Sequence, residues 1–266
     1  LDKNVAPKDY EQTKEVLRAL IFIEQNERPL YVREASMLIY GSSKYLEDNT
    51  LDIVCGLIRK FWKKPCEENE LLDEILRDYQ IVKEKQKICL KGDIIIVKSE
   101  RTLELGNFRS GVEFYADELD EIEKIIVNNQ RFITVENKTS YMRCREADTS
   151  YFYLGGYANR HQRDFLKMIY RDNPGVRYFH FGDIDAGGFH IHNNLCRITE
   201  IPFVLYRMSI NELQDSRYKS CLLSLSQNDR KRLKTLSEND IYQETVKYML
   251  KQDVKLEQEI VSYYSP

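Results

Sequence analysis

The chain has 266 residues, room for one large or two modest domains that each bury a core, and its 42% hydrophobic and 31% charged residues are the balance of an ordinary globular protein. A formal net charge of −3 excludes a globally basic nucleic-acid binder, so any surface for phosphate must be a local patch. The six cysteines (Cys55, Cys66, Cys89, Cys144, Cys196, Cys221) form no CxxC, no apolar run approaches membrane-spanning length and Leu1 opens no signal peptide, which predicts a cytoplasmic protein with reduced thiols, no zinc ribbon and no membrane partner.

Without an initiator Met, the sequence reads as an excised piece with a domain upstream. Asp9 to Glu24 carries Val16, Leu17, Leu20, Ile21 and Ile23 at helical spacing among alternating charges, an amphipathic helix. Pro29 breaks it. A second short helix fits Val32 to Ile39, Gly41-Ser42-Ser43 turns the chain, and Asn49-Thr50 starts a third helix through Leu51, Val54, Leu57, Ile58 and Phe61. Residues 1–75 are therefore expected to form a helical, winged-helix-like module. Periodicity leaves two readings open for it: a packing unit, or a guide for duplex DNA through Lys44 and Arg59.

Residues 76–127 change period and read as a small β-rich bridging region with no evident chemistry. Ile88 to Leu90 and Ile94 to Val97 flank Lys91-Gly92-Asp93 as a hairpin, and Thr102 to Leu105 fits a third strand. Asp117 to Asn128 reads as an acidic-leaning helix.

Residues 128–266 alternate strands with helices, the pattern of an α/β domain with a mostly parallel sheet flanked by helices. Arg131 to Val135 is a strand that ends in Glu136 and a polar turn into a helix. Ser150 to Leu154 is a second, closed by Gly155-Gly156 and followed by a helix from Asn159 to Tyr170. Val176 to Phe181, set off by Pro174-Gly175, is a third; it runs into Asp183-Ile184-Asp185, then Gly187-Gly188 and a helix from about Phe189. A further strand fits Ile201 to Tyr206. Ser226 to Leu236 is helical, with Arg230, Lys231, Arg232 and Lys234 read as a solvated face. One helix from Asp240 to Ser262 carries Leu256-Glu257-Gln258-Glu259-Ile260 as an exposed stretch.

Acids at the carboxyl ends of parallel strands stand where open α/β sheets bind ligands. The period of two points Asp183 and Asp185 to one side, and like charges held together need a cation or a shared proton. A hard divalent ion with oxygen ligands, Mg²⁺ or Mn²⁺, answers that need, with Glu136 as third ligand. Lys138 and Arg160 follow the first two strand turns and are placed to steady a phosphate. His190 and His192, two residues apart on a helix, face different ways and cannot readily clasp one metal; His161 and His180 read as packed or exposed side chains.

The Glu…Asp-x-Asp pattern, from about Asn128 to Leu205, resembles a Toprim domain. VENKTSY, YLGGYANR and YFHFGDIDAGGFHI resemble more closely the carboxy-terminal domain of the JetD group of Wadjet anti-plasmid proteins, itself similar to the A subunit of topoisomerase VI. REASMLIYGSSKYLED is similar to the segment before the Toprim part in that group, and LEQE to a terminal signature of it. The resemblance implies a metal-dependent nuclease that uses Glu136, Asp183 and Asp185, with the Glu as a possible general acid or base. It implies a homodimer cutting both strands of duplex DNA beside SMC-like ATPase subunits. In topoisomerase VI the helical module carries a nucleophilic tyrosine, which makes Tyr31, Tyr40 and Tyr45 alternatives; the JetD group is not expected to keep that tyrosine, which favours water. Three other readings stay open. A metallophosphoesterase would share Gly182-Asp183 but needs a Gly-Asn-His segment that is missing. A phosphatase with Asp183 as nucleophile leaves Glu136 without a role. A non-catalytic DNA-binding scaffold would use the acids only to cap a helix.

Overall fold

Val16, Ala19, Leu20 and Ile23 fall on one helical face, and α1 (Tyr10–Gln25) buries all four. Its first turn is closed by Asp9, whose Oδ1 accepts from the Gln12 N–H at 2.9 Å. This computed structural model describes residues 7–62, 72–83 and 86–264. The chain divides into two units, Leu1–Gln86 and Lys87–Pro266. In the first, α1 is followed by β1 (Leu30–Tyr31), α2 (Val32–Tyr40), α3 (Leu51–Leu57), α4 (Leu72–Arg77) and β2 (Ile81–Val82). The expected third helix is a composite, with wider π-helical turns at Leu46–Thr50 and Ile58–Trp62 on either side of α3. Strands β1 and β2 pair in parallel. Cys66 lies outside the described residues, Cys55 is buried, and Cys89, Cys144, Cys196 and Cys221 are free thiols.

The second unit holds β3 (Lys87–Lys91), β4 (Ile94–Lys98), β5 (Arg101–Glu104), β6 (Val112–Tyr115), β7 (Ile122–Val127), β8 (Arg131–Val135), α5 (Lys138–Arg143), β9 (Thr149–Tyr153), α6 (Arg160–Asp172), β10 (Arg177–Phe181), α7 (Ala186–Thr199) and β11 (Val204–Leu205). Helices α8 (Ile210–Gln214), α9 (Gln227–Leu236), α10 (Gln243–Gln252) and α11 (Gln258–Tyr264) complete it. One six-stranded sheet runs β11-β10-β8-β9-β3-β6; its first four strands are mutually parallel, and β3 and β6 are each antiparallel to the preceding neighbour. A separate antiparallel sheet runs β5-β4-β7. The unit is thus mixed α/β with a mostly parallel sheet, as the strand–helix alternation implied.

Strands β8, β9 and β10 are largely buried on both faces, which is why they read as nearly continuous apolar runs. Alternation still sorts their side chains. Phe132, Phe152 and Tyr178 join Phe165, Leu166 and Ile169 of α6 and Ile191 and Leu195 of α7 in one core. Ile133, Val135, Tyr151 and Phe181 face the other way, into a core with Tyr141 of α5, Leu233 of α9, Val246 and Met249 of α10 and Val261 of α11.

Four local expectations are corrected. No hairpin joins Ile88–Leu90 to Ile94–Val97: β3 and β4 lie in different sheets, because Gly92 (φ 126°) passes hard against Ser150 and re-aims the chain. The segment from Asp117 to Asn128 is a 3-10 turn (Ala116–Glu121) followed by β7, because Ile122, Ile125 and Val127 are worth more buried against β4 than spread around a helix. The strand after α7 shrinks to Val204–Leu205. The helix from Asp240 to Ser262 is broken at Asp253 (φ 59°), and the chain then runs extended beside Ile184 before α11 begins. Among the described residues no helix is long and apolar enough to cross a membrane.

The extended link is anchored by Leu256, which is fully buried and exchanges backbone hydrogen bonds of 2.9 and 3.2 Å with Ile184. Truncating a fully buried leucine where the surroundings cannot collapse costs about 2–5 kcal/mol. Leu256→Ala is expected to lower the urea midpoint of the second unit by a corresponding amount; an unchanged midpoint would place Leu256 outside the core.

Candidate metal centre

Parallel pairing of β8 with β9 and β10 brings three strand ends side by side. Glu136 follows β8 directly: its N–H donates to Phe181 O at 3.0 Å and its carbonyl accepts from the Gly155 N–H at 3.1 Å. Asn137 caps α5 through hydrogen bonds from the N–H groups of Thr139 (2.7 Å) and Ser140 (3.3 Å). On the neighbouring strand, Gly182 leads into Asp183, buried Ile184 and Asp185, and Asp185 caps α7 by accepting from the Gly188 N–H at 2.8 Å. Gly188 is obligatory, since a Cβ there would stand 2.2 Å from the Asp183 carbonyl oxygen.

The carboxy-terminal segment completes the cluster. Fully buried Gln258 ties the two acid-bearing strands together: its Nε2 donates to Phe181 O (2.8 Å), its Oε1 accepts from the Asn137 N–H (2.8 Å), and its backbone N–H donates to Asp183 Oδ1 (2.7 Å). The residues on either side of it project acids. Carboxylate oxygens of Asp183, Glu257 and Glu259 all lie within 4.8 Å of one another. Glu259 Oε1 also accepts from Asn137 Nδ2 at 2.5 Å.

The electrostatics report crowding. Burial first, and then Asp183, Asp185 and Glu257, push the Glu136 carboxyl up to about 8, a hydrogen bond from the Asp183 backbone only partly offsetting them. Burial raises Asp183 to about 7 despite the Gln258 N–H, with Glu257, Asp185 and Glu259 adding to the shift. Glu257 is raised by burial and then by Asp185. Two buried carboxylate oxygens, Glu136 Oε2 and Glu259 Oε2, have no hydrogen-bond partner among the described residues. Several partly buried carboxylates with unfilled oxygens are a donor set that suits a hard divalent cation.

His180 stands behind this cluster. Its Nδ1 is 2.9 Å from Thr134 Oγ1, and full burial, with His192 nearby, pulls its pKa down to about 3, so the ring is neutral. Its Nε2 is another buried atom without a partner among the described residues. A Cβ at Gly182 would lie 2.5 Å from Glu136 Oε2 and 3.0 Å from His180 Nε2, so only glycine leaves both atoms their space. His192 is spent structurally between Tyr242 Oη (2.6 Å) and Phe203 O (2.8 Å).

Of the residues singled out in the sequence, Glu136, Asp183 and Asp185 come together, each within electrostatic reach of the others. Asp183 shares the tightest oxygen cluster with Glu257 and Glu259 instead, which the sequence reading left on an exposed helix. The signal was present in LEQE: a period of two places two acids on one side and the linking amide on the other. Lys138 does not face an empty groove, since its ammonium lies 3.5 Å from Glu113 and 4.6 Å from the Tyr153 ring centroid. Arg160 is the first residue of α6. In the first unit, Lys44 is exposed and Arg59 half-buried. Tyr40 donates to Glu15 O at 2.8 Å, the tilted rings of Tyr45 and Tyr40 have centroids 4.6 Å apart, and Tyr31 precedes α2 and is 43% exposed.

These features define a mixed α/β protein with a carboxylate cluster at the ends of parallel strands. Residues 91–265 match the family described as Wadjet protein JetD, C-terminal, and the chain belongs to that family. It is 25% identical over 263 residues to the Wadjet protein JetD of Bacillus cereus (strain Q1), covering 92% of this chain and 61% of that relative. The chain thus spans less than two thirds of that relative's length.

The raised carboxyls fix the sign of a pH dependence. Between their ordinary values of 4.5 and 3.8 and their folded values of about 8 and about 7, Glu136 and Asp183 hold protons that the unfolded chain has released. Stability of the metal-free protein therefore falls as pH rises across that window and levels off above it. Thermal unfolding in chelator should show this decline, Mg²⁺ should reverse it most strongly near pH 8, and Glu136→Gln should flatten it. A midpoint independent of pH across the window would mean that the acids are not crowded.

Proposed function

We propose that this chain is a Toprim-type, metal-dependent DNA endonuclease, the nuclease subunit of a Wadjet anti-plasmid system acting in the cytoplasm. The observation that carries the reading is the acid cluster, with Glu136 and Asp183 at adjacent strand ends and two further carboxylates, Glu257 and Glu259, brought in where the extended link enters α11. Mg²⁺ or Mn²⁺ would be held by Glu136, Asp183 and Asp185 with help from Glu257 and Glu259. Such an ion neutralises phosphate charge and lowers the pKa of an attacking water.

The protein's own groups have distinct tasks. Asp183 is aimed by the Gln258 N–H, and Asp185 is oriented by the Gly188 N–H, so neither needs to reorganise when phosphate arrives. Glu136, its carboxyl raised to about 8 by burial and the neighbouring acids, would release its proton on taking hold of the ion. The winged-helix-like first unit would guide duplex DNA through Lys44 and Arg59, Lys138 and Arg160 are further candidates to contact phosphate, and a homodimer working with SMC-like ATPase subunits would cut both strands.

The scaffold reading accounts for Asp185, which caps α7, but leaves the unpartnered oxygens of Glu136 and Glu259 without a purpose. A tyrosine nucleophile is disfavoured by Tyr40, whose hydroxyl is already engaged by Glu15 O and Thr50 Oγ1 (3.0 Å) and whose pKa is raised by burial.

Circular plasmid incubated with the protein and Mn²⁺ is expected to be cleaved to ends free of protein. Asp183→Ala should reduce cleavage by at least about 100-fold, the scale of losing one electrostatic contact to the transition state. Tyr31→Phe, Tyr40→Phe and Tyr45→Phe should each retain it. Ends that stay protein-bound until protease treatment would replace water by a tyrosine.

A further inference from the structure

A second charged site lies at the other end of α5. The helix starts beside the acid cluster at Asn137 and ends at Cys144, where the chain enters the wall of a cavity of about 310 Å³. That cavity is lined by Lys91, Arg109, Arg145, Glu146, Thr149 and Tyr151 among others.

Lys91 is unusual for its residue type, with only 5% of its surface exposed. Its ammonium donates to Tyr141 O at 2.5 Å, near the carboxyl end of α5, and sits 4.6 Å and 5.1 Å from the ring centroids of Tyr141 and Tyr151. A helix-end carbonyl and two aromatic faces soften the burial of a cation, but they bring no negative charge. Glu146, the acid in the wall, is already committed: it accepts from the Tyr206 hydroxyl and pairs with Arg131 (3.0 Å) and Arg207 (3.1 Å). Arg109 and Arg145 are exposed, and neither has a carboxylate partner among the described residues. The wall thus presents three cations without a counter-ion.

We propose that this cavity binds a phosphate group, with Lys91 at its floor and Arg109 and Arg145 at its rim. Guanidinium forks match the spacing of phosphate oxygens, and a doubly charged anion answers three cations better than a carboxylate does. The site is separate from the acid cluster and does not depend on the endonuclease reading. The ionisation of Lys91 agrees with it: burial lowers the pKa to about 8, Cys144 partly offsets the fall, Arg145 adds to it and Cys89 opposes it least. A bound anion would raise it again. Phosphate binding near pH 8 must then draw protons from solution, which a lysine that merely seals α5 would not do.

The test is calorimetry on the whole chain in chelator, which keeps metal-bridged phosphate out of the acid cluster. The probes are inorganic phosphate, a 5′-phosphorylated oligonucleotide and the same oligonucleotide with a 5′-hydroxyl. At least one probe should bind with proton uptake near pH 8, read from buffers of different ionisation enthalpy. Its affinity should fall at least about tenfold in Lys91→Met, where the uptake should vanish, and in Arg145→Gln, whose exposed site leaves folding intact. Preference for the 5′-phosphorylated strand would assign the site to strand ends, equal binding of both oligonucleotides to backbone phosphate, and binding of inorganic phosphate alone to a small free ligand. Each of these supports the proposal. If no probe binds in a manner sensitive to either variant, the proposal is overturned.

Discussion

The structure of the second unit turns on the repulsion among carboxylates gathered at the ends of β8 and β10. Burying one unpaired carboxylate is costly, and burying several together is tolerable only if they share protons or a cation. The fold holds them there through neutral groups: the Gln258 amide bridges both strand ends, and the backbone N–H groups of Gln258 and Gly188 fix Asp183 and Asp185. Neutral donors set the geometry without cancelling the charge, so the cluster retains its demand for shared protons or a cation. An arginine in place of Gln258 would satisfy the acids and remove that demand.

Other features follow from the same constraint. Gly182 and Gly188 are dictated by the space that Glu136 Oε2, His180 Nε2 and the Asp183 carbonyl occupy. The carboxy-terminal link must run extended so that Glu257 and Glu259 flank Gln258, and Leu256 holds it beside Ile184 through backbone pairing and a buried side chain. Helix α11 is docked on α5 by the Ser140–Ser262 hydroxyl pair at 3.0 Å, so the helix that leads away from Glu136 and the helix that carries Glu259 are positioned together.

Much of this was legible in the sequence because it is local. Strands β8 and β10 are short apolar runs bounded by turn residues, and Glu136, Asp183 and Asp185 stand just past their ends, so their closeness could be read from the strand pattern. Misreadings arose where tertiary pairing decides. Ile88–Leu90 and Ile94–Val97 look like a hairpin until Gly92 is seen against Ser150, 58 positions on, and Ile122–Val127 becomes a strand because β4 is there to receive it. Glu257 and Glu259 were missed for the same reason: LEQE sets two acids on one side, but their meeting with Asp183 rests on a long-range bridge between Ile184 and Leu256.

The central claim is that Glu136 and Asp183 are held partly protonated until a divalent cation arrives. Carboxyl carbon chemical shifts of the labelled protein, followed through a pH titration with and without Mg²⁺, test it directly. Without the ion, Glu136 should titrate at about 8 and Asp183 at about 7. With saturating Mg²⁺ both should move below their ordinary values of 4.5 and 3.8. Ordinary values in the metal-free protein, or raised values that Mg²⁺ leaves in place, would contradict the account.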